Sequence, residues 1–149
     1  MLVLDSGGLS RLAKRDRATA ALLISLRRRG LWPPVVPTVV LVESLTGAQQ
    51  RDANVNRFLH ACDIRPAVSE RIARRAANLR TKARRGSAVD AIVVAIAQGN
   101  TVLTSDSEDL TALAANAADV VIEVLRAEGA SWTPAGWCVA AVTRPTHAH

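Results

Sequence analysis

Four of the 13 acidic residues in this 149-residue chain stand where an acid is costly to keep. Asp5 ends the apolar run "LVLD", Glu43 interrupts "VVLVESL", Asp90 lies in "SAVDAIVVAIA", and Asp106 ends "TVLTSD". A buried carboxylate without a partner costs several kcal/mol and takes up a proton instead. Each of the four therefore needs a cation, a hydrogen-bond donor or water. Asp5 and Asp106 fall at the ends of predicted strands and Glu43 and Asp90 near predicted helix starts, so all four can face one rim. Carboxylates gathered there repel one another. A divalent cation resolves that repulsion, and a hard all-oxygen donor set suits Mg²⁺ or Mn²⁺. Asp109, three residues past Asp106, falls on the same side of the following helix and is a further candidate to bind the metal or orient a water.

Each acid except one also has an ordinary structural reading. Asp5 can cap a helix beginning near Leu9, and Asp106 or Ser107 can cap the helix "SEDLTALA". Ser105 with Glu108 fits the S-x-x-E capping box, and Asp90 suits the first turn of a helix. Glu43, between Val42 and Leu45, resists such an account, and the set is more informative than any member.

The elements that must position these acids alternate between strand and helix. "MLVLD" predicts a buried strand, and "SGG" turns the chain into a helix that continues through "RATAALLISLRRRG" on a face of Ala20, Leu23, Ile24 and Arg27, until Gly30. A brief strand follows in "LWPPVV". Thr38 then caps the helix "VVLVESLTGA", and a helix at "VNRFLHAC" leads to an edge strand in "DIRPAV". "SERIARRAANLRTKARRG" is the clearest helix, with Ile72, Ala76, Leu79 and Ala83 as its apolar stripe and basic residues elsewhere. "SAVDAIVVAIAQGN" is apolar nearly all round and predicts a deeply packed helix. "TVLTSD", "SEDLTALAANA" and "DVVIEVL" add strand, helix and strand. Such alternation predicts an α/β domain with a mostly parallel sheet. A further strand is possible at Trp137 to Val142.

Composition narrows the class. The length fits one domain, and with one Phe, no Tyr and three Trp the core must be built from Ala, Val, Leu and Ile. Cys62 and Cys138 lie far apart and read as free thiols, which suits a reducing cytoplasm. No signal-peptide pattern opens the chain, and no apolar run is long enough for a membrane span. The net charge of +6 points to an acidic partner, with nucleic acid the commonest, although a plain solvated surface also explains it.

The stretches "LVLDSGGLS", "PTVVLVESLTG", "SAVDAIVVAIA" and "VLTSDSEDLTAL", in this order and spacing, resemble the PIN-domain family and, within it, the VapC-type ribonuclease toxins of bacterial toxin–antitoxin pairs. The likeness makes residues 1–125 a PIN-like nuclease domain and leaves residues 126–149 as a tail without counterpart. It implies a three-layer α/β/α sandwich with a short, mostly parallel central sheet. Carried over by position, it implies that Asp5, Glu43, Asp90 and Asp106 are the catalytic acids and that Asp109 is the extra acid following the fourth. Ser6 stands where a hydroxyl helps orient the site. Gly7 and Gly8 depart from the family, which more often has a hydroxyl or small residue there.

The implied activity is Mg²⁺- or Mn²⁺-dependent hydrolysis of RNA phosphodiesters. Asp5, Asp90 and Asp106 hold the metal, and Glu43 positions it or the attacking water. RNA approaching such a site needs flanking cations: Lys14, Arg15 and Arg17, the run Arg27 to Arg29, and the helix carrying Arg71, Arg75, Lys82 and Arg85. Few aromatics are available, so backbone contact should outweigh stacking. The implied partners are a second copy of the chain and a small antitoxin that covers the basic groove and binds DNA. His60, His147 and His149 have no part in this scheme. Two rivals remain: a PIN-like domain that binds RNA or protein without cutting, and a haloacid-dehalogenase-like phosphatase. The second needs an aspartate two residues after its nucleophile, where Gly7 stands.

Overall fold

The apolar runs offered as strands all enter one sheet. The computed structural model describes residues 1–66 and 68–125, together with the backbone of residues 139–140. From the N-terminus the elements are β1 (Leu2–Leu4), α1 (Ser6–Leu12), α2 (Arg17–Arg28), β2 (Val35–Pro37), α3 (Thr38–Ser44), α4 (Gln49–Leu59) and β3 (Asp63–Arg65). There follow α5 (Glu70–Ala83), α6 (Ala88–Ile96), β4 (Thr101–Thr104), α7 (Glu108–Ala114), β5 (Val121–Val124) and β6 (Val139–Ala140). The strand order is β3-β2-β1-β4-β5-β6, with β1 to β5 parallel and β6 antiparallel to β5.

The chain steps one way from β1 to β3 and the other way from β4 to β5. Right-handed crossovers then place α1 to α4 on one face and α5 to α7 on the other. The packing agrees: α1 meets α2, α3 and α4, while α5, α6 and α7 meet one another. This is the α/β/α sandwich that the sequence predicts. The reversal of direction falls between β1 and β4, where open α/β sheets bind ligands at the strands' C-terminal ends.

Leu2, Val3, Leu4, Val102 and Leu103 of these two central strands are wholly buried, as expected for parallel strands covered on both faces. Leu9, Leu12, Leu26 and Val40 close over one side, and Val93, Val94, Leu110 and Leu113 over the other. Ala76 and Leu79 are buried on α5, as its stripe predicts. Cys62 is a free thiol, and burial pushes its pKa up to about 12.

Local details differ from expectation where a side chain captures backbone N–H groups. The single helix expected between Leu9 and Gly30 is two. Asp5 starts α1 at Ser6, and Asp16 starts α2 by accepting from the Thr19 N–H at 2.7 Å. Arg11 donates to both Asp16 and Thr19, which fixes the break. The buried face of α2 is consequently Thr19, Leu22 and Leu26, and Ile24 is 51% exposed. Gly30, at φ 69°, ends α2 in the left-handed conformation that glycine adopts without strain. Thr38 is the first residue of α3 rather than its cap, and its hydroxyl donates to the Pro66 carbonyl.

The helix expected from Val55 starts at Gln49. Asp52 in its first turn accepts from the N–H groups of Thr46 and Gly47, and those donors hold its carboxyl below the ordinary range. The strand expected near Trp137 to Val142 is present as β6. Residues 126–138 and 141–149, with Cys138, His147 and His149, lie outside the described residues. No helix among the described residues is long and apolar enough to cross a membrane.

Candidate functional site

At the point where the sheet reverses, β1 delivers Asp5 and β4 delivers Thr104. The register pairs Leu4 with Leu103, so the next residue on each strand emerges at the same rim. Asp5 is 6% exposed and caps α1: its Oδ1 accepts from the Gly8 N–H at 2.6 Å. Its Oδ2 accepts from the Thr104 hydroxyl at 2.6 Å. That hydroxyl also lies 2.7 Å from the Asp106 carbonyl and accepts from the Asp106 N–H at 2.9 Å. One hydroxyl proton serves either Asp5 or the Asp106 carbonyl, not both. Burial pushes the Asp5 carboxyl above its ordinary range, and the negative charge of Asp90 adds to the shift against the pull of these donors.

Asp90 comes to this rim from the opposite helical layer. It belongs to a capping box: the Ser87 N–H donates to Asp90 Oδ2 at 2.9 Å, and the Asp90 N–H donates to Ser87 Oγ at 3.0 Å. The box expected at Ser105 and Glu108 does not form. Ser107 occupies the cap position of α7 without a side-chain bond, and Asp106 accepts only a long 3.4 Å contact from the Glu108 N–H.

The other two expected acids are placed differently. Asp109 accepts from Arg85 Nε at 2.7 Å, while Arg85 Nη2 donates to Glu108 at 2.7 Å. Glu43 is exposed in the last turn of α3, not near a helix start, because α3 buries Val40 and leaves the neighbouring Val42 80% exposed. Among the described residues no three His, Cys, Asp or Glu side chains come together as a metal-binding group. Asp5, Asp90 and Asp106 thus share a rim without closing into a cage.

The basic candidates divide into separate regions. α5 runs against α6, since Arg75 donates to the Ala95 carbonyl near the far end of α6, whereas Arg84 to Gly86 lead straight into its start. Arg85 therefore stands at the acid rim, Lys82 one turn back, and Arg71 and Arg75 toward the opposite sheet edge. Lys14 and Arg15 line a cavity of about 240 Å³ on the other face with Arg27, Arg57, Trp32 and Phe58. Arg27 lies 4.6 Å from the centre of the Trp32 ring. Arg29 instead holds the buried Glu123 at 2.8 Å. Arg29→Met is expected to cost roughly 1–3 kcal/mol by stranding that carboxylate, read as a lower urea midpoint at unchanged slope.

Sequence reasoning missed Thr104. A threonine ending a strand is common, and only the β1–β4 register turns this one into the partner of Asp5. The expected support from Ser6 is replaced by that hydroxyl, as no side-chain hydrogen bond of Ser6 is found among the described residues. Gly7 and Gly8 acquire a steric reason: a Cβ on Gly8 would meet the Leu103 carbonyl oxygen, and one on Gly7 would come within 2.5 Å of Ser105 Oγ.

No protein-family model and no curated protein matches the sequence. The fold does match solved structures. One is a toxin–antitoxin complex from Klebsiella pneumoniae, at TM-score 0.56 and 23% identity over 73% of this chain and 89% of that one. Another is VapBC2 from Rickettsia felis bound to a DNA fragment from its promoter, at TM-score 0.63 and 14% identity over 83% of this chain and 98% of that one. The chain therefore has the PIN-like α/β fold that its four motifs predict, and shares it with these two toxin–antitoxin assemblies.

Proposed function

We propose that the chain is a Mg²⁺- or Mn²⁺-dependent ribonuclease and the toxin of a toxin–antitoxin pair, with RNA as substrate and a small antitoxin and a second copy of itself as partners. The observation that carries this reading is Asp5: a carboxylate buried at the sheet's switch point, bonded to a hydroxyl and an N–H, with a second acid near enough to act on it electrostatically. Such an arrangement destabilises the fold unless a cation repays it. The donors fit Mg²⁺, which is commonly held by one or two carboxylates and completed by water and substrate phosphates, so a cage of three or four acids is not required. A bound divalent ion would neutralise charge on the phosphate and acidify a water.

The chain's own residues then have distinct tasks. Gly8 and Thr104 fix the two oxygens of Asp5, and Ser87 fixes one oxygen of Asp90. Asp106 is tied through its backbone to Thr104 at the same end of the sheet. Glu43 is exposed and free to reorient when substrate arrives. Similarity to structures of toxin–antitoxin assemblies supports the biological role.

Asp90→Asn keeps the oxygen that the Ser87 N–H uses but removes the charge. It is expected to lower Mg²⁺- or Mn²⁺-dependent cleavage of a labelled RNA by at least about a hundredfold, with the melting temperature nearly unchanged. Cleavage at the wild-type rate would remove Asp90 from the site. The second reading, a silent PIN-like RNA- or protein-binding domain, is favoured by the absence of a three-acid group among the described residues. It is the outcome if pure, partner-free protein binds RNA and cuts none with either metal.

A further inference from the structure

A groove of about 430 Å³ lies between α5, α6 and the turn after α7, toward the sheet edge opposite the acid rim. Its polar lining is Arg74, Arg75, Lys82, Asn78, Gln98 and Asn116, and no carboxylate lines it. Asp119, just past Ala118 at the groove's end, is not among the lining residues. Among the described residues the one acid paired to a lining residue is Glu70, bonded to Arg74, and that pair is about four-fifths exposed and so contributes little. Three cations facing no lining acid make a site for an anion.

The carboxamides say which anion. A phosphate or sulfate only accepts hydrogen bonds, so a site built for it alone needs donors. Asn78, Gln98 and Asn116 carry acceptors as well. Asn116 directs its Nδ2 to the Ala112 carbonyl at 3.1 Å, which leaves its Oδ1 for a ligand that donates. Nucleobase edges donate as well as accept, and the groove volume falls in the range of small-ligand sites.

The groove also leads somewhere. Residues 71, 75, 78 and 82 follow one face of α5 at helical spacing, so Arg71, Arg75, Asn78 and Lys82 form a polar rail; the chain turns at Arg84, in the left-handed conformation, and the next residue, Arg85, bonds Asp109 at the acid rim. The 14 residues of α5 span roughly 21 Å at about 1.5 Å each. That is the length of a few nucleotides. Resting on the ribonuclease reading above, we infer that this groove is an RNA exosite: it holds one nucleotide of the strand flanking the scissile bond, and α5 carries the intervening phosphates to the acids.

The test is fluorescence anisotropy of a labelled single-stranded RNA of roughly ten nucleotides, read in chelator so that no cleavage is needed. The Arg74→Gln, Lys82→Gln double variant alters only exposed positions. It should bind about tenfold more weakly, with the slope of log affinity against log salt reduced by roughly 1.4, about 0.7 for each phosphate contact. Asn78→Ala, which favours the helix, should weaken binding severalfold at unchanged slope. Wild-type affinity in both variants overturns the exosite, as does an absence of RNA binding by the wild type. A polyaspartate peptide whose binding these variants abolish, while RNA affinity stays at the wild-type value, assigns the groove to an acidic protein segment and overturns it too. Wild-type protein that binds RNA through the groove but never cuts it refutes the ribonuclease reading alone.

Discussion

Asp5→Asn is expected to abolish metal-dependent RNA cleavage, by at least about a thousandfold, and to yield a more stable protein than the parent. The two effects have one cause. Asn caps helices about as well as Asp and keeps the oxygen that the Gly8 N–H requires. Its Nδ2 then donates to Thr104 Oγ1, freeing the hydroxyl proton for the Asp106 carbonyl, so every group at the end of β1 and β4 is served. What disappears is a buried negative charge facing Asp90.

The pH dependence follows from the direction of the Asp5 shift. A carboxyl raised above its ordinary 3.8 binds more proton in the folded state than in the unfolded one, between 3.8 and the raised value. Wild-type stability therefore rises as pH falls through that window, while the neutral Asn contributes no such change. Melting temperatures measured in chelator should favour the variant at neutral pH, with the gap narrowing on acidification. A variant that cuts RNA normally, or melts below the parent at neutral pH, would contradict the role assigned to Asp5.

Gly8→Ala is expected to cost at least about 3 kcal/mol, near the top of the usual range for overpacking, and to lower the melting temperature by roughly 10 °C. Inside an ordinary helix the same change gains about 1 kcal/mol. Here the sign inverts because the added methyl would run into the carbonyl of Leu103, a backbone group of the central strand β4 that has nowhere to turn. Gly7→Ala meets Ser105 Oγ, the end of an exposed side chain that rotates aside, and should cost only about 1 kcal/mol. Thermal unfolding of the two variants separates these cases. Equal stability of Gly8→Ala and wild type would show that α1 does not need its close approach to β4.

Much of this was legible before the fold was seen, for reasons that differ by element. Apolar runs bounded by turn residues give β1, β2, β4 and β5, and strand–helix alternation gives a parallel sheet. The break between α1 and α2 was hidden because Asp16 lies within an otherwise helical stretch, although Asp with Thr three residues on is an ordinary cap. At the site, acids ending apolar runs marked Asp5 and Asp106, which the pairing of β1 with β4 brings to one end of the sheet. The exposure of Glu43 was hidden, since neighbours along the chain do not show which side of a helix is covered, and Val42 beside it faces solvent. Thr104 and the hold of Arg85 on Asp109 depend on contacts across 99 and 24 residues, which no local pattern encodes.

The edge strand β3 is built against the addition of a further strand. It is only three residues long, its Asp63 and Arg65 are joined to each other at 2.7 Å, and Pro66 follows at once with no N–H to offer. A second sheet seeking to add itself along this border finds few open positions and two charges in the way. On this side the sheet is therefore a poor template for strand addition.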